Sequence, residues 1–132
     1  MITLATLSKS TAQEVFDQVV NHAAKQMEQS EEASSGTCAY RQTGSKGQQV
    51  ACFGGCLMAD EEYKPEWDSE EHGVTWTKLV RHHGVTPKHK EFIFELQGIH
   101  DGSQPRYWRA KLEYTARSHN LTFTWPDDAQ ET

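Results

Sequence analysis

The chain has 132 residues, the length of one ordinary domain, and 36% of them are hydrophobic. Its formal net charge is −6 at pH 7, with 13 lysine and arginine residues against 19 aspartate and glutamate residues. This balance argues against a nucleic-acid coat, because such proteins need a basic face to displace counterions from phosphates. The charge is compatible with an acidic surface that meets a basic partner, and also with nothing more than good solubility.

Several features predict a cytoplasmic protein with no membrane association. The first residues show no positively charged start followed by an apolar run, so we expect no signal peptide. No stretch approaches the roughly 18 apolar residues that a membrane-spanning helix needs. Three cysteines are an odd number, which disfavours a closed disulfide framework, and cytoplasmic thiols stay reduced. We expect one domain over residues 1–132, with a flexible acidic tail from about residue 126.

The first predicted element is a helix that Ser10 or Thr11 can cap, with Gln13 or Glu14 three residues later as a capping box requires. Apolar residues then recur at intervals of three and four on one face: Val15, Phe16, Val19, Val20, Ala23 and Met27. After a polar break, TCAYR and QVACF flank the turn QTGSKG and predict a β-hairpin.

The segment from Asp60 to Gly73, here called the acidic segment, holds seven carboxylates and one lysine and predicts a loop with one helical turn. Helices are predicted at TWTKLVRHHG, from Thr86-Pro87 to about His100, and over Arg106 to His119. The alternating stretch LTFTW predicts a late strand that ends at Pro126. The expected fold class is α+β, with about four helices and a small antiparallel β-hairpin or sheet.

Tyr40 and Arg41 are the first candidate binding residues, because neighbours on a strand point to opposite faces. We expect Tyr40 to pack against the core. Arg41 should reach a carboxylate of Asp60–Glu62 or an anionic ligand, since its planar guanidinium suits either.

The acidic segment supplies four more candidates for a partner-facing surface: Asp60, Glu62, Tyr63 and Trp67. Large rigid aromatic rings are typical of binding hot spots, although both rings could instead anchor the segment onto the core. His100 ends the third predicted helix, and Asp101 could cap that helix or orient the imidazole. A satisfied histidine at a helix end and a catalytic dyad both fit this pair.

The three cysteines, Cys38, Cys52 and Cys56, leave alternatives open. Cys52 and Cys56 have an acceptable spacing for two zinc ligands, but Cys38 has no close partner, so His72 or His100 would have to complete the site. We expect reduced, structural cysteines and no cofactor, because free cysteine behaves as a small buried hydrophobe. Zinc is the alternative, and a catalytic cysteine is a weaker one because no cysteine-hydrolase signature is present.

Four short motifs occur along the chain in an order that can be compared with known families. They are Cys38-Ala39-Tyr40-Arg41, Cys52 to Met58, Asp60-Glu61-Glu62-Tyr63, and Leu96 to Asp101 followed by Trp108. Together with the opening helix they resemble a group of small uncharacterised proteins of tailed phages and proteobacterial prophages. This sequence departs from that pattern in a longer, more polar hairpin turn and in Phe53-Gly54, where small apolar residues are usual.

The resemblance implies a phage accessory protein that binds and inhibits or modulates a host component, such as part of a defence system, in the host cytoplasm. Two alternatives stay open. One is a small-ligand or nucleotide-binding module with its pocket between the hairpin and the His100 end of the third helix. The other is a zinc- or cysteine-dependent enzyme. The sequence does not indicate the oligomeric state.

Overall fold

The computed structural model describes residues 1–31, 39–68 and 74–126. Within these ranges the predicted α+β class is confirmed, with one two-stranded antiparallel sheet and four α-helices: α1 (Ala12–Gln26), α2 (Trp76–His82), α3 (Lys90–Gly102) and α4 (Trp108–Ser118). The strands are β1 (Gln42–Thr43) and β2 (Gln49–Val50). Short 3₁₀ turns cover Leu7–Lys9, Gly55–Leu57, Pro65–Asp68 and Pro105–Tyr107. The predicted acidic tail lies outside the described residues from residue 127 onward.

Helix α1 begins at the predicted capping box. The Thr11 side chain accepts from the backbone N–H of Glu14, and the Glu14 carboxylate accepts from the backbone N–H of Thr11. The predicted buried face is confirmed except at Met27, which is 41% exposed. Met27 follows the last helical turn in a left-handed conformation (φ 45°), and this turns its side chain away from the buried face.

The hairpin is shorter than predicted, with Gln42 opposite Val50 and Thr43 opposite Gln49. Its N-terminal arm stops because the backbone N–H groups of Tyr40 and Arg41 donate to the Asp68 carboxylate and not to a strand. Its C-terminal arm stops because side chains of α1, and not a partner strand, bond the backbone groups of Ala51. Gln26 accepts from the Ala51 N–H, and Gln26 and His22 both bond its carbonyl oxygen.

The prediction of a strand at LTFTW is wrong, although the predicted alternation of burial is present. Leu121, Phe123 and Trp125 are half-buried, whereas the two threonines between them are exposed. The backbone of Thr122 forms no ladder because its N–H and C=O both bond the side-chain amide of Gln13, at 2.9 Å each. A glutamine of α1 therefore replaces the partner strand.

Helices α2, α3 and α4 pack in sequence, α2 on α3 and α3 on α4, while α1 contacts α4 and the turn at Gly55–Leu57. Trp108, Phe53 and His100 lie at the centre of the core and are at most 1% exposed. Helix α3 begins at Lys90, three residues after Pro87, because His89 takes a left-handed conformation (φ 64°) directly before it. In the described part of the chain, none of the helices is long and apolar enough to cross a membrane.

Candidate functional site

Arg41, directly before β1, connects the hairpin to Asp60 at the start of the acidic segment and to the turn that precedes it. One guanidinium nitrogen pairs with Asp60, the other donates to the carbonyl oxygens of Met58 (2.8 Å) and Gly55 (3.3 Å), and the side chain is 11% exposed. The guanidinium also lies 5.7 Å from the ring centre of Tyr63. The predicted contact between Arg41 and the Asp60–Glu62 stretch is confirmed. These contacts engage the two terminal nitrogens of the guanidinium, whereas its buried Nε has no hydrogen-bond partner among the described residues.

Asp68 is the carboxylate that organises this region, and sequence reasoning missed it. Its two oxygens accept from the backbone N–H groups of Tyr40 (2.9 Å) and Arg41 (3.1 Å) and from the Tyr63 hydroxyl (2.6 Å). Burial, followed by the bond to Asp68, raises the pKa of Tyr63 above its ordinary value. Nothing in the sequence distinguishes Asp68 from its acidic neighbours, since its role depends on where residues 40 and 41 lie.

Glu62 also bonds backbone groups. Its carboxylate accepts from the N–H groups of Leu4 (2.8 Å), Ala5 (3.0 Å) and Ala59 (2.8 Å), so it fastens the first residues of the chain to the acidic segment. The expectation that the carboxylates of this segment are free to meet a partner therefore needs correction at Glu62 and Asp68. Asp60, Glu61 and Glu66 are exposed.

Trp67 faces inward. It is 3% exposed, and its ring lies 6.5 Å from the Tyr40 ring and 6.3 Å from the Tyr63 ring, both at steep angles. Tyr40 is 7% exposed and its hydroxyl donates to the carbonyl oxygen of Val74 (2.6 Å), so the prediction that Tyr40 packs is confirmed. The alternative in which the aromatic residues anchor the segment holds for Trp67, while Tyr63 is half-buried.

His100 and Asp101 form the predicted pair, with 2.8 Å between Nδ1 and the carboxylate oxygen. The other ring nitrogen, Nε2, accepts from the backbone N–H of Ser30 (3.0 Å), so Nδ1 must carry the proton in the neutral ring. The imidazole is fully buried between the rings of Phe53 and Trp108, with centroid distances of 5.3 and 5.5 Å. Both nitrogens are engaged internally, which favours a structural role that joins α3 to Ser30.

One concave site among the described residues is a cavity of about 210 Å³, here called the aromatic cavity. On α3 its lining runs from Ile93 to Asp101. Its apolar lining consists of Tyr40, Trp67, Val74, Trp76, Ile93 and Phe94. Its polar lining consists of Asp68, Thr75, Gln97 and Asp101.

The aromatic cavity brings together three of the predicted site residues, Tyr40, Trp67 and Asp101. Arg41, Asp60, Glu62, Tyr63 and His100 do not line it. Sequence reasoning missed Phe94, which lines the cavity and is nevertheless 66% exposed. The sequence did offer one signal, because Phe94 lies outside the apolar face of the third predicted helix, and a residue at such a position is expected to be exposed.

The rings of the cavity are inclined to one another. Tyr40 lies 6.5 Å from both Trp67 and Trp76, at interplanar angles of 75° and 58°. The indole nitrogens of Trp67 and Trp76 are buried without a hydrogen-bond partner among the described residues. Because neither nitrogen is exposed, a ligand would meet the carbon atoms of the two indole rings.

A second, wider cavity of about 710 Å³ lies between residues 1–10 and α1 and also touches Cys56. Its lining mixes the cations Lys9 and Lys25 with the anions Glu14 and Asp17, so its charge selects no ligand class. His22 also lines it, and burial lowers the pKa of His22 below the ordinary value of 6.5.

Cys52 and Cys56 are free thiols. The Cys52 sulfur accepts from the Gly55 N–H (3.3 Å), the Cys56 thiol donates to the Phe53 carbonyl oxygen (3.0 Å), and desolvation raises the pKa of the Cys56 thiol. The described residues contain no group of three or more side chains that could hold a metal ion. Cys38 and His72 lie outside the described residues, so the zinc alternative stays a prediction.

In comparisons with protein-family models, curated proteins and solved structures, no match was found. The resemblance to small phage proteins therefore stays an expectation from the motifs.

Proposed function

We propose that this chain is a non-catalytic, phage-type accessory protein that binds a host protein and inhibits or modulates it in the host cytoplasm. The observation that carries the proposal is Phe94, an aromatic ring that is 66% exposed beside a cavity lined by three further aromatic residues. Exposed rings next to apolar pockets are typical of the few residues that dominate binding energy at protein interfaces. The host and defence-system part of the proposal rests on the motif resemblance alone.

The main competing function is a small-ligand or nucleotide-binding module, and the position of the cavity favours it in part. The aromatic cavity extends from Tyr40, two residues before β1, to the stretch of α3 between Ile93 and Asp101, although neither His100 nor a residue of the two strands lines it. Its volume of about 210 Å³ is below the range of roughly 300–1,000 Å³ that is usual for drug-sized ligands. Its described charged residues are both carboxylates, which would repel a phosphate. A protein side chain or a small fragment fits better than a nucleotide.

Affinity capture from a bacterial host lysate tests the proposal when three forms of the chain are compared. We expect wild type to retain a host protein and Phe94→Ala to lose at least about 90% of it, because truncating a central aromatic residue costs roughly 2 kcal/mol or more. The matched control is Tyr114→Ala. Tyr114 is 69% exposed on α4 and does not line the cavity.

Both variants should keep the wild-type unfolding midpoint, since both side chains are exposed. Equal retention by wild type and Phe94→Ala, or equal loss in Phe94→Ala and Tyr114→Ala, would overturn the proposed surface.

A further inference from the structure

The chemistry of the aromatic cavity narrows the kind of group that it can receive. Its described lining holds four aromatic residues, Tyr40, Trp67, Trp76 and Phe94, and two carboxylates, Asp68 and Asp101. No lysine, arginine or histidine is among the described lining residues. An apolar group placed there would desolvate the carboxylates and gain no interaction with their charge, whereas a cation would be attracted both by the carboxylates and by the aromatic faces.

We propose that the aromatic cavity receives the guanidinium group of an arginine side chain from the bound partner. This deepens the proposed function and rests on it, because it names the side chain through which the host protein would be held. Arginine stacks on aromatic rings, and its planar fork of N–H donors matches carboxylate oxygens. Arginine is also enriched among the residues that dominate interface energies.

The two carboxylates differ in their partners and in how far solvent reaches them. Asp68 accepts three hydrogen bonds, all from neutral groups, two backbone N–H groups and the Tyr63 hydroxyl. Asp68 therefore has little acceptor capacity left. The Asp101 side chain is 45% exposed, and one of its oxygens accepts from both Gln97 and His100 at 2.8 Å. Because its side chain is 45% exposed, Asp101 is the carboxylate that an incoming guanidinium can reach in addition to the partners that Asp101 already has, and Asp68 adds attraction at longer range.

The size of the cavity favours one side chain. A volume of about 210 Å³ lies below that of sites for drug-sized ligands. The exposed ring of Phe94 extends the site towards solvent, where it can cover the aliphatic part of the arginine side chain. In this arrangement the guanidinium lies inside the cavity near the carboxylates, and the methylene groups of the arginine pack against the ring of Phe94.

The test is a titration of the purified full chain with capped single amino acids, N-acetylarginine methylamide against N-acetylcitrulline methylamide. Citrulline keeps the shape of arginine and lacks its charge. The readout is the NMR signals of the indole N–H groups of Trp67 and Trp76. We expect the arginine compound to shift these signals with a millimolar dissociation constant and the citrulline compound to bind at least about tenfold more weakly.

Two variants locate the binding. Asp101→Asn keeps an oxygen that can accept from His100 and Gln97 but removes the charge, and Phe94→Leu keeps apolar bulk but removes the ring. Each should weaken binding of the arginine compound about two- to fivefold. The matched controls are Glu91→Gln, an exposed carboxylate on the same helix, and Tyr114→Leu, and both should leave binding unchanged.

Each of these results would overturn the proposal: no response to the arginine compound at tens of millimolar, equal binding of the citrulline compound, or equal effects of site and control variants. Tighter binding of tetramethylammonium than of the arginine compound would also reject a guanidinium site. If these results occur while capture of a host protein still depends on Phe94, only this inference fails. If the arginine compound binds and no host protein depends on Phe94, the proposed partner is wrong and the ligand chemistry stands.

Discussion

Single carboxylates hold backbone N–H groups together across distant parts of this chain. Asp68 serves residues 40 and 41, and Glu62 serves residues 4, 5 and 59. Charged acceptors of this kind form stronger hydrogen bonds than neutral ones, and a buried N–H that loses its acceptor bears the full cost of desolvation. An excess of negative charge in the acidic segment therefore has a structural explanation at two of its positions.

The variant Asp68→Asn tests that explanation. Each Asp68 oxygen accepts from a backbone N–H, and an amide would place its NH₂ group against one of these donors. We expect the free energy of unfolding to fall by about 2–3 kcal/mol, measured by urea denaturation. Glu66→Gln, at an exposed position in the same segment, is the control and should change it by less than about 0.5 kcal/mol. Equal stabilities of the two variants would show that Asp68 has no such role.

Arg41→Lys should also destabilise the protein, by about 1–3 kcal/mol. Lysine cannot serve Asp60 and the Met58 and Gly55 carbonyl oxygens at once with a planar fork. The control is Arg117→Lys, a side chain that is 75% exposed and 3.9 Å from Glu113, for which we expect almost no change. Retention of wild-type stability by Arg41→Lys would remove the structural role assigned to the guanidinium.

His22 should make stability depend on pH in a defined window. Burial lowers the pKa of folded His22 below 6.5, so the unfolded chain binds a proton more readily than the folded chain. The contribution of His22 to stability is complete above about pH 6.5 and is lost as pH falls below it.

We expect wild type to lose more stability than His22→Gln between pH 7.5 and 5.5, measured by urea denaturation. Glu14 and Glu28, whose pKa values are lowered from 4.5, act only at lower pH. Identical pH profiles of wild type and His22→Gln in this window would contradict the assignment.

At the scale of elements, the sequence predicts helices better than strands, because the signals for a helix lie close together in the sequence. The capping box and the spacing of apolar residues define α1, because both depend on residues within a few positions of one another. The two strand errors have a common cause. At Ala51 and Thr122 the side chains of Gln26 and Gln13 bond the backbone groups that a neighbouring strand would otherwise use. No local pattern reports such a long-range contact.

Glycines of two elements offer a matched pair of variants. A Cβ atom at Gly55 would collide with the carbonyl oxygen of Tyr40, whereas a Cβ atom at Gly98 would meet nothing within 4 Å. Gly55→Ala should destabilise by roughly 2 kcal/mol or more, because backbone must move. Gly98→Ala lies within α3 and should stabilise by about 0.5–1 kcal/mol. Thermal unfolding of both variants checks the signs, and a stabilising Gly55→Ala would contradict the close approach of the turn to Tyr40.

At the scale of the whole molecule, the candidate site could be predicted only in part. Tyr40, Trp67 and Asp101 were identified from aromatic and acidic residue types, but sequence reasoning assigned Trp67 and Tyr40 to different groups. Phe94 and Asp68 were recognised as site residues only from the structure, in which both line the same cavity. The fold also divides the carboxylates of the acidic segment into two groups. Glu62 and Asp68 face inward, whereas Asp60, Glu61 and Glu66 are exposed.

The proposed interaction surface is the aromatic cavity with Phe94, which would meet a host protein. Site-specific photocrosslinking tests it most directly. Phe94 is replaced by p-benzoylphenylalanine, the protein is irradiated in host lysate, and the same replacement at Tyr114 serves as the control for an exposed aromatic position on another helix. We expect one host protein to be crosslinked from position 94 and not from position 114. The absence of an adduct at position 94, or the same set of adducts from both positions, would contradict the claim.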